Sequence, residues 1–351
     1  MSPVSGADRL EGIDVAPVSA WLDATLDGFR GPYRFDLVAG GRSNLTFVVT
    51  DTAGGRCVLR RPPISHVLPT AHDMAREFRI INALGPTPVP VPPALGLCSD
   101  EAVNGRPFYV MGYVDGHVLR DKAAAEAAFT PAQRREVGLD LVDVLADLHA
   151  VDVDAVGLGD LARRDAYIER QLKRWYGQYQ QSAALQGRSV PAIDAVHERL
   201  GRQIPDQGPA AIVHGDYRLD NTMIGADARV AAVLDWELCT LGDPLADVGL
   251  LIVYWTDPGH TNAALGVAPT KVEGFPTRAE LRARYAERSG RELSQLDFYV
   301  AFSYWRVGCI IEGVWARYAG GAMGGDRTNV DVFEAQVEGL ADAAAEAAAT
   351  L

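Results

Sequence analysis

His214-Gly215-Asp216-Tyr217-Arg218-Leu219-Asp220-Asn221 decides how this chain is read. The stretch has the form H-x-D-x-x-x-x-N. It follows the short apolar run Ala211-Ile212-Val213, which brings Asp216 to the end of a buried strand. A second apolar run, from Val230 to Trp236, carries Asp235. A carboxylate at Asp216 can orient a hydroxyl and accept its proton. The amide oxygen of Asn221 can meet a divalent cation without adding charge, and Asp235 can supply a carboxylate to the same ions. These are the parts that phosphoryl transfer asks of a protein. Singly, Asp216 reads as a turn cap, Asn221 as a turn residue and Asp235 as a strand-end cap. Jointly, at this spacing, those plainer readings explain little. His214 is expected to hold the loop by hydrogen bonds rather than to react.

The order of elements upstream supports this. After a helix over Pro17–Phe29, strands are expected at Tyr33–Ala39, Leu45–Asp51 and Arg56–Arg60, joined by Gly40-Gly41-Arg42-Ser43-Asn44 and by the hairpin turn Thr52-Ala53-Gly54-Gly55. A helix over Thr70–Leu84 follows, then strands at Ala94–Cys98 and Phe108–Val114. Asp115-Gly116 marks a hinge. Beyond it the pattern is mainly helical, over Pro131–Ala150, Asp165–Ser182, Ile193–Ile204, Pro244–Trp255, Thr277–Ser289, Ser294–Tyr318 and Asp331–Ala348. The expectation is an α+β, protein-kinase-like fold in two lobes. Residues 1–114 form a small N-lobe with a five-stranded antiparallel sheet and one helix. Residues 115–351 form a larger, mainly helical C-lobe carrying the catalytic loop. A nucleotide would bind in the cleft between the lobes.

The small lobe then has to cradle phosphates. Gly41, Ser43 and Asn44 lie in the first hairpin, where glycine lets backbone approach closely and the polar side chains add donors. Arg60 ends the third strand and is the candidate cation for the α and β phosphates, with Arg61 on the opposite face. Glu77 on the following helix is placed to hold it. Backbone around Met111 and Tyr113, at the hinge, would bind an adenine edge. No G-x-x-x-x-G-K-[ST] occurs, which excludes a Walker-type loop. Asp243 is expected to cap the helix after Asp235, and Asp247 to support the catalytic loop.

Composition narrows the field. The chain has 351 residues, 48% hydrophobic and 23% charged, with a formal net charge of -13. Such a balance argues against a nucleic-acid partner, since no basic run is present to neutralise phosphates. The four cysteines, Cys57, Cys98, Cys239 and Cys309, form no C-x-x-C pair and read as buried thiols in a reducing cytoplasm. The histidines form no ligand set, and His149 reads as a packed residue at a helix end. No signal peptide is visible at Met1–Leu10, and no apolar stretch is long enough to span a membrane. The sequence does not indicate an oligomeric state.

Seven segments together resemble the aminoglycoside phosphotransferase (choline/aminoglycoside kinase-like) family: GGRSNLTF (40–47), CVLRRPP (57–63), REFRIINAL (76–84), FYVMGYVDG (108–116), LADLHAVD (145–152), HGDYRLDNTMI (214–224) and VLDWELCTLGDPLADVG (233–249). They stand in the family's order. The resemblance implies a kinase-like fold, ATP (in some members GTP) and Mg²⁺. It implies Asp216 as catalytic base and Asn221 and Asp235 as metal ligands. VLRRPP, DYRLDN and DWELCTLGDPLAD are most similar to the kinase-like domains that accompany acyl-CoA dehydrogenases, a branch linked to phosphorylation of hydroxyacyl-CoA. Arg60 departs from the family's usual lysine.

The leading expectation is therefore an ATP-dependent O-phosphotransferase acting on a small-molecule hydroxyl, either aminoglycoside-like or hydroxyacyl-CoA. Tyr167, Trp175, Tyr176, Tyr179, Tyr304, Trp305 and Trp315 supply aromatic surface in the helical lobe, most of it expected in the core. Two other readings stand beside it: a nucleotide-binding regulator without turnover, and a metal-dependent hydrolase built on His214, Asp216 and Asp235.

Overall fold

A computed structural model describes residues 9–38, 44–64, 73–257, 268–319 and 330–351. The fold is α+β. Packing divides it into two compact units. The first takes the described residues up to Asp115 together with Ala231–Glu237, and the second takes Gly116–Val230 and Leu238–Leu351.

The first unit is built on an antiparallel sheet of five strands: β1 (Arg34–Leu37), β2 (Leu45–Thr50), β3 (Arg56–Arg61), β4 (Ala94–Cys98) and β5 (Phe108–Gly112), in the order β1-β2-β3-β5-β4. Strand alternation sorts the side chains. Phe47, Val49, Cys57, Leu59, Phe108 and Val110 point to one face, where helix α1 (Val15–Thr25) covers them with Val18 and Leu22. Trp21 of α1 meets Phe108 edge to face, with ring centroids 4.9 Å apart. The opposite face therefore receives Arg60 from β3 and Tyr109 from β5, which are register partners. Helix α2 (Met74–Leu84) lies on that side, begun by Asp73, whose side chain accepts from the Arg76 amide. One consequence is that Arg60 sits on the central strand of the sheet rather than at an edge.

In the second unit, helix α3 (Pro131–Ala150) starts at a capping box between Thr130 and Gln133. Helices α4 (Tyr167–Gln186) and α5 (Pro191–Arg202) follow, then the short strands β6 (Ala211–Val213), β7 (Thr222–Ile224), β8 (Val230–Val233, which begins in this unit and continues into the first) and β9 (Thr240–Gly242). β6 pairs antiparallel with β9, so the His214–Asn221 stretch leaves the sheet at Val213. Helices α6 (Leu245–Tyr254), α7 (Arg278–Ser289), α8 (Leu296–Ala319) and α9 (Val330–Ala349) complete it. α8 is buried along most of its length, and α9 lies against it with Leu340, Ala341, Ala344 and Ala348 inward. Small side chains there let the two helices approach closely. Tyr167, Trp175, Tyr179, Tyr304, Trp305 and Trp315 are buried among these helices. They fill the core and leave little aromatic surface for a ligand. Among the described residues no helix is long and apolar enough to cross a membrane.

Candidate active site

In the first unit four of the predicted residues converge on the sheet face opposite α1. Arg60 Nη2 donates to Asp235 Oδ1 at 2.5 Å, and its Nε lies 3.1 Å from Glu77 Oε2. Tyr109 donates its hydroxyl to the same Glu77 oxygen at 3.1 Å, and Asn44 Nδ2 reaches Glu77 Oε1 at 3.3 Å. Asn44 Nδ2 is also 3.3 Å from Glu237 Oε2, which stands 4.0 Å from Arg60 Nη2. Glu237 was not anticipated. Its signal was present in Asp235-Trp236-Glu237, where the buried Trp236 separates two acids that both reach the Arg60 cluster.

One guanidinium faces three carboxylates here, nearly all of it out of water. Burial alone would lower the Arg60 pKa, but Glu77 and Asp235 outweigh it and hold the pKa above its ordinary value. Burial raises Glu77, against the pull of Arg60 and the hydrogen bonds from Tyr109 and Asn44.

Asp235 adopts a left-handed backbone, with φ at 63°. That conformation costs a non-glycine residue on the order of 1 kcal/mol, and such strain is found where a side chain must be aimed. The residues following Asp235 turn into a short 3₁₀ segment, Trp236–Leu238. Arg60 engages one oxygen of Asp235, and the side chain stays about a third exposed.

In the second unit, Asp216 and Asn221 form a pair. Asn221 Nδ2 donates to Asp216 Oδ2 and to the Asp216 carbonyl, each at 2.8 Å. The short 3₁₀ turn Leu219–Asn221 makes this possible by folding the chain back. Asp247 holds the loop from below. Its Oδ2 accepts from the His214 amide at 2.6 Å and its Oδ1 from the Gly215 amide at 2.8 Å. Burial would raise the Asp247 pKa, but the hydrogen bond from His149 and the backbone donors hold it below the usual range. His149 is fully buried, which lowers its pKa and keeps it neutral. A carboxylate can only accept, so Nε2 of His149 donates to Asp247 at 3.4 Å and Nδ1 accepts from the Tyr285 hydroxyl at 2.7 Å. His214 Nδ1 accepts from the Asp216 amide at 3.2 Å, the loop-holding part expected of it.

Gly215 has φ at 85°, and a Cβ there would stand 2.8 Å from the Leu238 carbonyl oxygen. Its own carbonyl accepts from Arg306 Nη2 at 2.6 Å. Arg306 lies on α8, far along the chain, and carries no motif that marks it in sequence. Asp243 caps α6 through the Leu245 amide at 3.0 Å and accepts from Tyr299 at 2.6 Å. Arg218 was also missed. Its Nε is 3.4 Å from Asp216 Oδ1 and its Nη1 is 3.3 Å from Asp220 Oδ2.

The remaining expectations divide. Gly41 and Ser43 lie outside the described residues. Met111 is on β5, paired in register with Val58 and Ala94 and nearly buried. Tyr113 follows the strand, and its ring is capped by the Arg56 guanidinium 3.9 Å from the centroid. Asp235 belongs to the first unit, and Asp216 and Asn221 belong to the second.

The donor chemistry suits Mg²⁺. In the second unit Asn221 turns its nitrogen, not its amide oxygen, to Asp216, and in the first unit Arg60 engages Oδ1 of Asp235. The oxygens of Asn221 and Asp235 are both hard ligands. Among the described residues no group of three His, Cys, Asp or Glu side chains could hold a metal by itself. Mg²⁺ needs only one or two protein ligands when phosphates and water complete its shell. The four cysteines are buried thiols that form no disulfide.

A family model described as the phosphotransferase enzyme family matches residues 35–299. Acyl-CoA dehydrogenase family member 11 of Rattus norvegicus is 35% identical over 330 residues, covering 91% of this chain and 41% of that protein. The chain thus spans about a quarter to two-fifths of the length of the curated relatives it matches. A Ralstonia eutropha JMP134 protein, described as a candidate aminoglycoside phosphotransferase, superposes with a TM-score of 0.80 at 35% identity, over 95% of this chain and 98% of the other. The aminoglycoside phosphotransferase APH(4)-Ia, solved with AMP-PNP and hygromycin B, shares the fold alone, at a TM-score of 0.60 and 18% identity over 96% of this chain and 100% of its own. The fold is kinase-like, and with a family match that runs from β1 into α8 through both the Arg60 cluster and the Asp216 loop, the chain belongs to the phosphotransferase enzyme family.

Proposed function

We propose that this chain transfers the γ-phosphoryl group of ATP or GTP to the hydroxyl of a small molecule, with Asp216 as base. The observation that carries this reading is the Asp216–Asn221 pair. Asn221 holds Oδ2 of the carboxylate at 2.8 Å, and the Asp247-anchored backbone fixes the loop on which both stand. Asp216 orients the acceptor hydroxyl and takes its proton as the new O–P bond forms and the bond to the departing diphosphate breaks. Asn221 and Asp235 would each offer an oxygen to Mg²⁺, which when bound would neutralise charge on the phosphates. Arg60, held by Glu77, meets the α and β phosphates as a bidentate fork in place of a lysine. Gly41, Ser43 and Asn44 are the contacts assigned to the phosphates, and backbone at Met111 and Tyr113 takes the adenine edge. In this scheme residues 1–114 serve the nucleotide and 115–351 the chemistry and the acceptor, in a cytoplasmic enzyme.

The acceptor we favour is a hydroxyacyl-CoA. The relatives whose names contain acyl-CoA dehydrogenase match at 32–36% identity, whereas the aminoglycoside enzyme of known ligands shares only the fold. The test is nucleotide consumption with mass-spectrometric product detection across hydroxyacyl-CoAs, aminoglycosides and choline-like alcohols. Asp216→Asn should lower kcat by about 10²- to 10⁴-fold and leave nucleotide binding intact. Full activity in the variant would remove Asp216 from the role of base. Nucleotide binding by wild type with no phosphorylated product from any acceptor would point to a regulator without turnover.

A further inference from the structure

A cavity of about 70 Å³ opens in the second unit beside the catalytic loop. Arg218, Asp220, Leu251, Tyr254, Trp255 and Thr270 contribute to its wall. Arg218 stands at the junction of cavity and base. Its guanidinium carbon is 4.7 Å from the centroid of the Tyr254 ring. On its other sides are Asp216 Oδ1, at 3.4 Å, and Asp220 Oδ2, at 3.3 Å.

An aromatic face flanked by carboxylates is how proteins hold organic cations. Here a guanidinium of the chain itself takes that position. We propose that Arg218 is a resident cation that fills this aromatic–carboxylate site, so that the acceptor site selects against alcohols carrying positive charge near the hydroxyl. The inference rests on the reading of Asp216 as base and narrows its substrate to acceptors that are neutral or anionic around the reacting group. A substituted ammonium arriving at Asp216 finds the Tyr254 ring already covered and the Asp216 and Asp220 carboxylates already paired with Arg218, so it gives up its hydration without gaining these partners. An uncharged alcohol of the same shape meets neither obstacle. The three contacts converge on one side chain that is 29% exposed, so solvent screens them less than it would a surface pair. Specificity by an element that disfavours the competitor is a recognised route to discrimination.

The experiment compares choline with 3,3-dimethylbutan-1-ol, its uncharged isostere, by calorimetric binding to wild type, R218Q, R218K and the double variant R218Q/Y254L. Vacating the site should tighten choline binding at least tenfold in R218Q. R218K keeps the charge and should stay near wild type, and removing the Tyr254 ring should abolish the gain. The proposal is overturned if R218Q binds choline no better than wild type, or if 3,3-dimethylbutan-1-ol gains equally, which would mean that only space was created. Thermal melting checks folding, and R218M substitutes if R218Q does not fold. Wild type binding choline as tightly as the isostere would also overturn it. These measurements read binding, so failure to phosphorylate any hydroxyl would remove the function proposed above and leave this result readable.

Discussion

Asp247→Asn isolates what holds the catalytic loop. Three donors converge on the wild-type carboxylate: the backbone amides of His214 and Gly215, and Nε2 of His149. Asparagine has the same shape but one acceptor oxygen. Turned toward His214 and His149, it satisfies both and sets its own NH₂ against the Gly215 amide. One buried charge-assisted bond is then lost, worth about 1.5–3 kcal/mol, and a buried amide is left without an acceptor. Asp247 is fully buried, so water cannot repair the loss. We expect destabilisation of about 3 kcal/mol in urea unfolding, or a Tm lower by about 6–12 °C for a unit of this size. Asp216 follows Gly215 directly, so kcat should fall as well, by ten-fold or more. The Asp247 pKa lies below its ordinary 3.8. Its stabilisation is therefore complete above the unfolded value and is lost as pH falls through the lower folded value. The stability difference between wild type and D247N should accordingly shrink in acid. Hydrogen exchange at the Gly215 amide gives a local reading and should speed up in the variant. If D247N unfolds within about 0.5 kcal/mol of wild type at pH 7 and the Gly215 amide stays equally protected, the reasoning fails.

Four other outcomes follow from the same geometry. Arg60→Met removes a buried cation that pairs with Glu77, Asp235 and Glu237, and should cost about 3–5 kcal/mol by chemical denaturation, with Arg60→Lys recovering part of it; equal stability of R60M and wild type would contradict the assigned pairing. Gly215→Ala places a Cβ 2.8 Å from the Leu238 carbonyl at a left-handed φ and should cost more than about 1–2 kcal/mol while lowering kcat; a neutral result in paired melting and turnover assays would mean that the turn is not tight. Arg306→Met leaves the Gly215 carbonyl without its donor, so a fall in kcat with nearly unchanged nucleotide affinity is expected in steady-state kinetics. Glu280 is held at about 2 by Arg135 and by the Thr277 cap, so its contribution to α7 is present above pH 4.5 and vanishes as pH falls through about 2; solvent screening limits E280Q to less than about 1 kcal/mol in a pH-resolved melt.

Much of the site was legible because its parts are short-range. Asp216 and Asn221 are five residues apart, and a single 3₁₀ turn brings them into hydrogen-bond contact, so spacing alone announced the pair. Arg60 and Glu77 were placed by element order, since strand alternation decides which β3 side chains face α2. Glu237 was missed through attention to Asp235, although it stands two residues later and reaches the same arginine. Arg306 and Tyr254 could not be found in this way. They approach the catalytic loop from α8 and α6, and nothing local in their sequence distinguishes a buried arginine or a cavity tyrosine from its neighbours. The aromatic residues of the helical lobe, Trp175, Trp305 and Trp315 among them, lie in the core as most of them were expected to, because helices α4, α5, α8 and α9 close over them.

Periodicity, turn residues and motif spacing by themselves determined most of the elements, their order, the α+β class and the pairing of Asp216 with Asn221. These depend on steric and hydrogen-bonding preferences acting over a few residues. Only the tertiary structure decided the charge balance around Arg60, the convergence of three donors on Asp247, and the placement of Arg218 over the Tyr254 ring against two carboxylates. Those are sums over side chains distant in sequence. Their strength depends on separation and on exclusion of water, and both exist only once the chain is packed.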